Sequence, residues 1–354
     1  MKYLATGGPE FAISRATIPD IARLAGLSTA TVDRALNGRR GVSAANRHRV
    51  LKAAEELGYL PSEGMLLLPA RPAHLVFLIP FGQSSFMRDV ARSISIFAAG
   101  LPLVASCNIV TMSGIGAEAL ERGLDAVSPW TNGVGVVTTD CPATRAAITR
   151  LCEGGVRVVT IASDVPGTPR SAYVGVDNRI AGRTAAQIMG LLARGSTGSI
   201  AVFLGSRAFH GHHERDAGFR ALMKEEMPGL VLPESIETGE DNRRSYAAAV
   251  DLLRRSPHLS GIYCVGAART GIVEAVAAEA AMHRPSIVMH DLGDNSRDWL
   301  RRRAIDVVID QNARLVAEQA VIHLLGSIAA STSLLSYKPI LPRIMLRENV
   351  PEAG

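Results

Sequence analysis

Hydrophobic positions in the first sixty residues repeat with the period of short helices. Ile21, Leu24 and Ala25 follow Asp20 at helical spacing. Thr17 and Asp20 stand where they can accept hydrogen bonds from the free amides of a first turn, which also tolerates Pro19. Gly26 supplies the left-handed residue that ends such a helix sharply, and Leu27 reads as a buried plug. Ser28 then caps a second helix whose inward face is Val32, Ala35 and Leu36. A third helix is predicted from about Ala44 to Leu57, capped by Ser43, with Val50, Leu51, Ala54 and Leu57 at helical spacing. Three such helices close a small all-α core.

From His74 onward the pattern changes to short apolar runs alternating with longer helical stretches. The runs are LVFLIP, GVGVVT, RVVTIAS, SIAVFLG, GIYCVG, SIVMHD and IDVVID. Strands alternating with helices predict parallel sheets with crossover helices, and about 280 residues are enough for two lobes. Ligands of such sheets bind beyond the carboxyl ends of the strands. The residues just after the runs include Phe86, Asp140, Ser163, Asp164, the stretch His210 to Arg215, Arg269, Asp291 and Gln311. Acids, amides and arginine beside an aromatic ring suit a sugar or polyol, whose hydroxyls pair with fixed planar groups while a ring covers the apolar face. Any single one of these residues is better explained as a loop cap, so the reading rests on the set.

Charge separates the two parts. Between Arg15 and Lys52 eight basic residues stand against Asp20 and Asp33, a balance of +6 in a chain of net +5, so the remainder is near −1. A basic module beside a near-neutral body fits contact with nucleic-acid phosphates, whereas an ordinary helical hairpin would scatter its charges. The side chains left outside on the second helix are Thr29, Ala30, Asp33 and Arg34. Short side chains with one arginine suit the major groove, where a guanidinium pairs bidentately with guanine.

These residues resemble the lactose-repressor/galactose-repressor family of bacterial transcription factors. The likeness is dense from Thr17 to Pro61 and includes AGLS, TVDRALNG, GVSAANR and ELGYLP. The resemblance implies an N-terminal all-α helix-turn-helix DNA-binding domain at 15–62, a hinge at 63–73 and a two-lobed α/β domain at 74–354. That second domain would be periplasmic-binding-protein-like (type I) with parallel sheets. Its first lobe would hold about 74–175 plus 312–338, and its second about 176–311 plus the C-terminal tail. By the same resemblance, Thr29, Ala30 and Arg34 read bases, while Thr17, Ser28, Thr31, Asn37 and Ser43 hold the phosphate backbone. Asp33 departs from the serine common there and is not counted as a contact. In some members the hinge folds and wedges a leucine into the minor groove, which falls here on Leu68. Pro69 and Pro72 follow at once, so an anchor of Leu66 to Leu68 on the body is the competing reading.

For the cleft the resemblance points to Phe86 as the stacking ring, with Asp164, His213, Arg215, Asp291 and Gln311; the segment VGVDNRIAGRTAA marks the crossing into the second lobe. His213 replaces an arginine frequent in the family. Gly266 and Ala267 lack its Asn-Asp pair, which leaves Arg269 to substitute. Asp140 completes the candidate set. The implied partners are operator DNA, a small carbohydrate-like effector and a second copy of the chain, with no cofactor and no catalysis. The expected tail after Lys338 carries no leucine heptad, so a dimer is expected and not a coiled-coil tetramer.

Two other chemistries compete locally. Gly114 to Ala119 reads GxGxxA, with Asp140 about twenty residues on, which is the layout of a dinucleotide site and of an NAD-dependent oxidoreductase fused to a DNA reader. His210, His212, His213 and Glu214 offer zinc ligands, although a local cluster guarantees only about two of the three or four required. No GxSxG, HExxH or phosphate-loop pattern occurs. No run approaches about 18 apolar residues, and the N-terminal stretch with Glu10 lacks the apolar segment of a signal peptide, so a cytoplasmic location is expected. Cys107, Cys141, Cys152 and Cys264 have no CxxC spacing and read as reduced structural thiols.

Overall fold

In the computed structural model of the chain, residues 17–36, 42–57, 72–80, 84–193, 198–279, 284–329 and 340–351 are described. Asn37, Leu68 and the hinge expected at 63–73, apart from its last two residues, lie outside them. The N-terminal helices form one unit, and the described residues from 72 onward form a second.

The first unit contains α1 (Ile18–Ala25), α2 (Thr29–Leu36) and α3 (Ala44–Glu56). Asp20 closes the start of α1, because its carboxylate accepts the Thr17 amide at 3.0 Å and the Thr17 hydroxyl at 2.5 Å. Gly26, at φ 61°, makes the left-handed stop, and the Leu27 amide donates to the Ala22 carbonyl at 3.0 Å. Ser28 Oγ accepts the Thr31 amide at 3.2 Å to start α2, and Ser43 Oγ accepts the Asn46 amide at 3.2 Å to start α3. The core is Ile21, Ala22, Ala25, Val32, Ala35, Val50, Ala53 and Ala54. Leu24, expected inside, is 49% exposed. Ile18, Ile21, Ala22 and Ala25 share one side of α1, and at roughly 100° per residue Leu24 is turned about 110° from the centre of that side.

The second unit holds two sheets. The first comprises β1 (Ala73–Pro80), β2 (Val104–Met112), β3 (Gly133–Val136), β4 (Arg157–Ile161) and β5 (Ala172–Val174), all parallel in the order β2-β1-β3-β4-β5. Between these strands run α4 (Ser85–Ala99), α5 (Ala117–Leu124) and α6 (Pro142–Glu153). The chain then enters α7 (Asn178–Leu192), β6 (Ser199–Leu204), α8 (His210–Glu226), β7 (Ile236–Glu237), α9 (Asn242–Arg255) and β8 (Leu259–Val265). It continues through α10 (Arg269–Glu279), β9 (Ser286–His290), α11 (Asp294–Arg301) and β10 (Val307–Asp310) to α12 (Ala313–Ala329) and β11 (Arg343–Met345). The second sheet has the order β11-β10-β9-β8-β6-β7, with β11 antiparallel on its edge.

Each sheet is covered on both faces. In the first, Phe77, Ile79 and Ile161 pack with Phe86, Ile94, Val316 and Leu324 from α4 and α12, while Leu78, Val134 and Val136 meet Leu120 and Ile148 from α5 and α6. In the second, Ala185, Met189, Phe219 and Met223 of α7 and α8 cover one face, and Leu252, Ile272, Val276 and Leu300 cover the other. Thus α12 belongs to the first sheet although it follows β10 of the second. The chain crosses at Gly175–Asp177 and again at Gln311–Asn312, and Ile340 bridges Val176 beside the first crossing. Among the described residues, no helix is long and apolar enough to cross a membrane.

Candidate functional site

On α2 the side chains of Thr29, Ala30 and Arg34 are exposed, while Val32 and Ala35 on the opposite side are buried. Thr17, Ser28 and Ser43 are exposed and Thr31 is half-buried. All four of these hydroxyls already work inside the unit. The Thr17 hydroxyl donates to Asp20, Ser28 and Thr31 share a hydrogen bond of 2.8 Å, and Ser43 caps α3. A Thr17 hydroxyl spent on Asp20 can accept but not donate, which limits what it can offer a phosphate. Arg23, Arg49 and Lys52 of the same unit are also exposed.

In the second unit, a cleft enclosing about 630 Å³, part of it open to solvent, lies at the carboxyl ends of both sheets. The first sheet contributes Pro80, Ser84, Met87, Ile115, Val137, Ala162 and Ser163, a mainly apolar wall. The second contributes Phe209, His212, Arg215, Glu240, Gly266, Ala267, Asp291 and Gln311, which carry every ionisable group among the described lining residues. The two walls meet directly, since Ser163 Oγ accepts the Gly211 amide at 3.2 Å and the Asp140 amide donates to the Ala208 carbonyl at 2.8 Å.

Arg215 is placed by a close helix crossing. A Cβ on Gly182 of α7 would lie 2.0 Å from the Arg215 carbonyl oxygen, and one on Gly218 of α8 would lie 2.2 Å from the Arg179 carbonyl oxygen. Only glycines let these backbones approach so near. Arg215 is 3% exposed, and its Nε donates to Asn178 Oδ1 at 2.7 Å, leaving the terminal nitrogens available on the cleft side.

Asp291 follows β9 in the left-handed region at φ 67° and accepts Gln311 Nε2 at 2.7 Å. Gln311 Oε1 is buried without a hydrogen-bond partner. His212 Nδ1 accepts the Ser206 amide at 3.3 Å, which leaves the ring proton on Nε2. Burial, reinforced by the Arg215 guanidinium, pushes the His212 imidazole down to about 3, so it is neutral. Its ring packs 5.0 Å, centroid to centroid, from Phe209. Glu240, at φ 61°, accepts the Ala267 amide at 2.5 Å, and burial pushes its carboxyl up. Three lining residues, Ala162, Glu240 and Asp291, are therefore non-glycine residues at positive φ, and Gly266 joins them at φ 118°. Such strain gathers at ligand clamps.

Several residues singled out from sequence stand elsewhere. Phe86 is 1% exposed and packs in the core under α4, because the first turn of that helix points it at the sheet; Phe209 is the ring in the cleft wall. Asp140 is held by Arg145, whose Nε and Nη2 each donate to it at 2.7 Å. Asp164 is bound by Arg170 and accepts Thr160 at 2.7 Å and the Val165 amide at 2.8 Å; burial pushes its carboxyl up, but these bonds hold it below the usual range. Arg269 is buried behind the wall and donates to the carbonyls of His290 and Asp291, so it supports the Asp291 turn from below. His213 is exposed, one position around α8 from His212. Arg215, Asp291 and Gln311 do lie in the wall. Among the described residues no group of three His, Cys, Asp or Glu side chains could hold a metal ion.

A family model for the periplasmic binding protein domain matches residues 118–326, more than half of the chain, and one for bacterial regulatory proteins of the lacI family matches residues 17–62. The chain belongs to the lacI family of bacterial regulatory proteins. This lacI-family chain is 38% identical over 96 residues to the HTH-type transcriptional repressor CytR of Escherichia coli (strain K12), a match spanning 26% of the chain and 28% of CytR. It is 26% identical over 259 residues to the HTH-type transcriptional regulator GntR of the same strain, across 71% of the chain and 73% of GntR. A solute-binding protein of an ABC transporter from Burkholderia graminis C4D1M, solved in complex with D-arabinose, superposes with a TM-score of 0.73 at 20% identity, covering 80% of the chain and 98% of that protein. The lacI-family fold is thus an N-terminal helix-turn-helix followed by a type I α/β domain with parallel sheets.

Proposed function

We propose that the chain is a ligand-responsive transcriptional regulator, a repressor that binds a near-palindromic operator as a homodimer and senses a small carbohydrate-like effector in the cleft. The carrying observation is the face of α2, where Thr29, Ala30 and Arg34 stand exposed on a helix seated by Val32 and Ala35. In this reading residues 15–62 bind DNA, 63–73 form the hinge and 74–354 bind effector and partner. Arg34, with Thr29 and Ala30, reads base edges; Thr17, Ser28, Thr31, Asn37 and Ser43 hold phosphates; Leu68 serves the minor groove.

The effector reading rests on the donors and acceptors of the cleft. Arg215 and the His212 Nε2 proton donate, while Asp291, Glu240 and Gln311 Oε1 accept, and Phe209 offers a ring face. That mixture is what a ring of hydroxyls requires. An effector preferring one arrangement of the two walls changes DNA affinity by its difference in affinity for the two states, and by that amount only.

No observation favours the dinucleotide reading. The Gly114 to Ala119 loop follows β2, an edge strand and not a switch point between sheet halves, and the Asp140 carboxylate is already occupied by Arg145. Thermal-shift titration against sugars, polyols and NAD tests both. A response to a sugar or polyol supports the proposal, and a response to NAD alone overturns it.

A further inference from the structure

Charge in the cleft is unevenly spread. Among the described lining residues, Arg215 is the only cation, whereas Glu240 and Asp291 are carboxylates and His212 is neutral. Residues 81–83, between β1 and α4, are Phe, Gly and Gln and add no ionisable group. Arg269, a further cation at the start of α10, has its guanidinium turned onto backbone carbonyls behind the wall. Among the described lining residues, a phosphate or carboxylate entering here meets one guanidinium and two carboxylates.

Asp291 Oδ1 accepts Gln311 Nε2; Glu240 Oε2 accepts the Ala267 amide and the Ala268 amide also bonds this carboxylate, while Oε1 stands 3.8 Å from His212 Nδ1. Nδ1 is itself an acceptor, so it gives that oxygen no proton. The sequence also puts this long acid at a left-handed backbone position directly after Gly239, which is left-handed too at φ 64°. We propose that the cleft selects an uncharged, hydroxyl-rich ligand and rejects its phosphorylated and carboxylated counterparts, with Glu240 setting the rejection. This rests on the carbohydrate reading of the same cleft.

The mechanism is differential. A neutral hydroxyl donates to the Glu240 carboxylate, as others donate to Asp291 and to the orphaned Gln311 Oε1. An oxyanion in the same place has no proton to give and faces like charge in a poorly solvated wall. The test is calorimetry on the full chain with pentoses, hexoses and pentitols, each beside its phosphate ester and its aldonic or uronic acid. At least one neutral compound is expected to bind, with its anionic counterparts about 100-fold weaker or worse. E240Q, which keeps an oxygen for the Ala267 amide, is expected to narrow that ratio by about tenfold or more, while E240D, which keeps the charge, preserves it. Anionic compounds binding as well as neutral ones, or an unchanged ratio in E240Q, overturns the inference and leaves the carbohydrate reading standing. Binding by no compound of any charge overturns the carbohydrate reading itself, and the inference with it.

Discussion

Gln311 gives its amide nitrogen to Asp291 Oδ1 at 2.7 Å and keeps its own carbonyl oxygen buried and unpartnered. The pair joins the end of β9 to the point where the chain leaves the second sheet for α12. A buried acceptor without a donor costs about 1–3 kcal/mol, and a hydroxyl of the effector would recover that. Gln311→Ala is therefore expected to weaken the effector by about tenfold or more, since Asp291 also loses its support. Calorimetry with any binding sugar or polyol reads this directly, and an unchanged Kd removes Gln311 from the site.

Gly182→Ala should be costly without touching ligand. Its Cβ would stand 2.0 Å from the Arg215 carbonyl oxygen, so α7 and α8 must separate. Overpacking of this kind costs about 1–3 kcal/mol, and the Asn178 to Arg215 bond across the same crossing would stretch. A lower Tm together with weaker effector binding is the expected result. Wild-type values for both would show that the crossing does not position Arg215.

Acid should weaken the second unit before its carboxylates titrate. Burial, with Arg215 close by, holds His212 at about 3, and burial holds His290 well below its ordinary value, with Arg215, His212 and Arg269 adding to it. Unfolding frees both rings to bind protons below about pH 6.5, so their stabilisation is complete above that value and is lost as pH falls. Glu240, pushed up by burial, acts in the opposite sense, its contribution being present at low pH and lost as pH rises through its folded value. Burial likewise lowers His323 and raises Asp89, and the three rings outweigh the two carboxyls between pH 6.5 and 5. Tm should fall across that window, and His212→Gln should make the accompanying fall in unfolding free energy shallower by up to about 1.4 kcal/mol per pH unit. A Tm that rises on acidification from pH 6.5 contradicts the placement of these rings.

How much of this could be read from the sequence depended on how local the signal was. Gly26, Ser28 and Ser43 act within their own helix ends, and continuous apolar runs such as LVFLIP mark buried parallel strands, so both were visible. Strand β2 carries a mixed pattern because it is an edge strand with exposed positions, and β5, β7 and β11 are three residues or fewer. In the cleft, one step around α8 decides between His212 and His213, and periodicity does not fix that phase near a helix start. Glu240 follows a two-residue strand that has no apolar run to announce it. Phe86 and Phe209 both stand at helix starts after strands, and only the packing of α4 against α12 shows which is core.

Arg34→Ala tests the reading of bases. Removing a bidentate contact to guanine costs about 1–3 kcal/mol and relaxes preference at one position of the operator. Lys52→Ala, on a helix outside the reading face, should weaken all sequences alike and reduce the salt dependence. Equal loss of preference in both variants would mean that Arg34 contacts phosphate.

A regulator of the proposed kind couples DNA affinity to occupancy of the cleft. Duplexes selected by the full protein from a random pool, then titrated at two salt concentrations with and without a sugar or polyol that binds, measure this directly. The expected result is a near-palindromic consensus, affinity that falls steeply with salt, and a change in DNA affinity on adding the ligand, matched by an equal change in ligand affinity on adding DNA. No enriched sequence, or operator affinity indifferent to a saturating ligand, would contradict it.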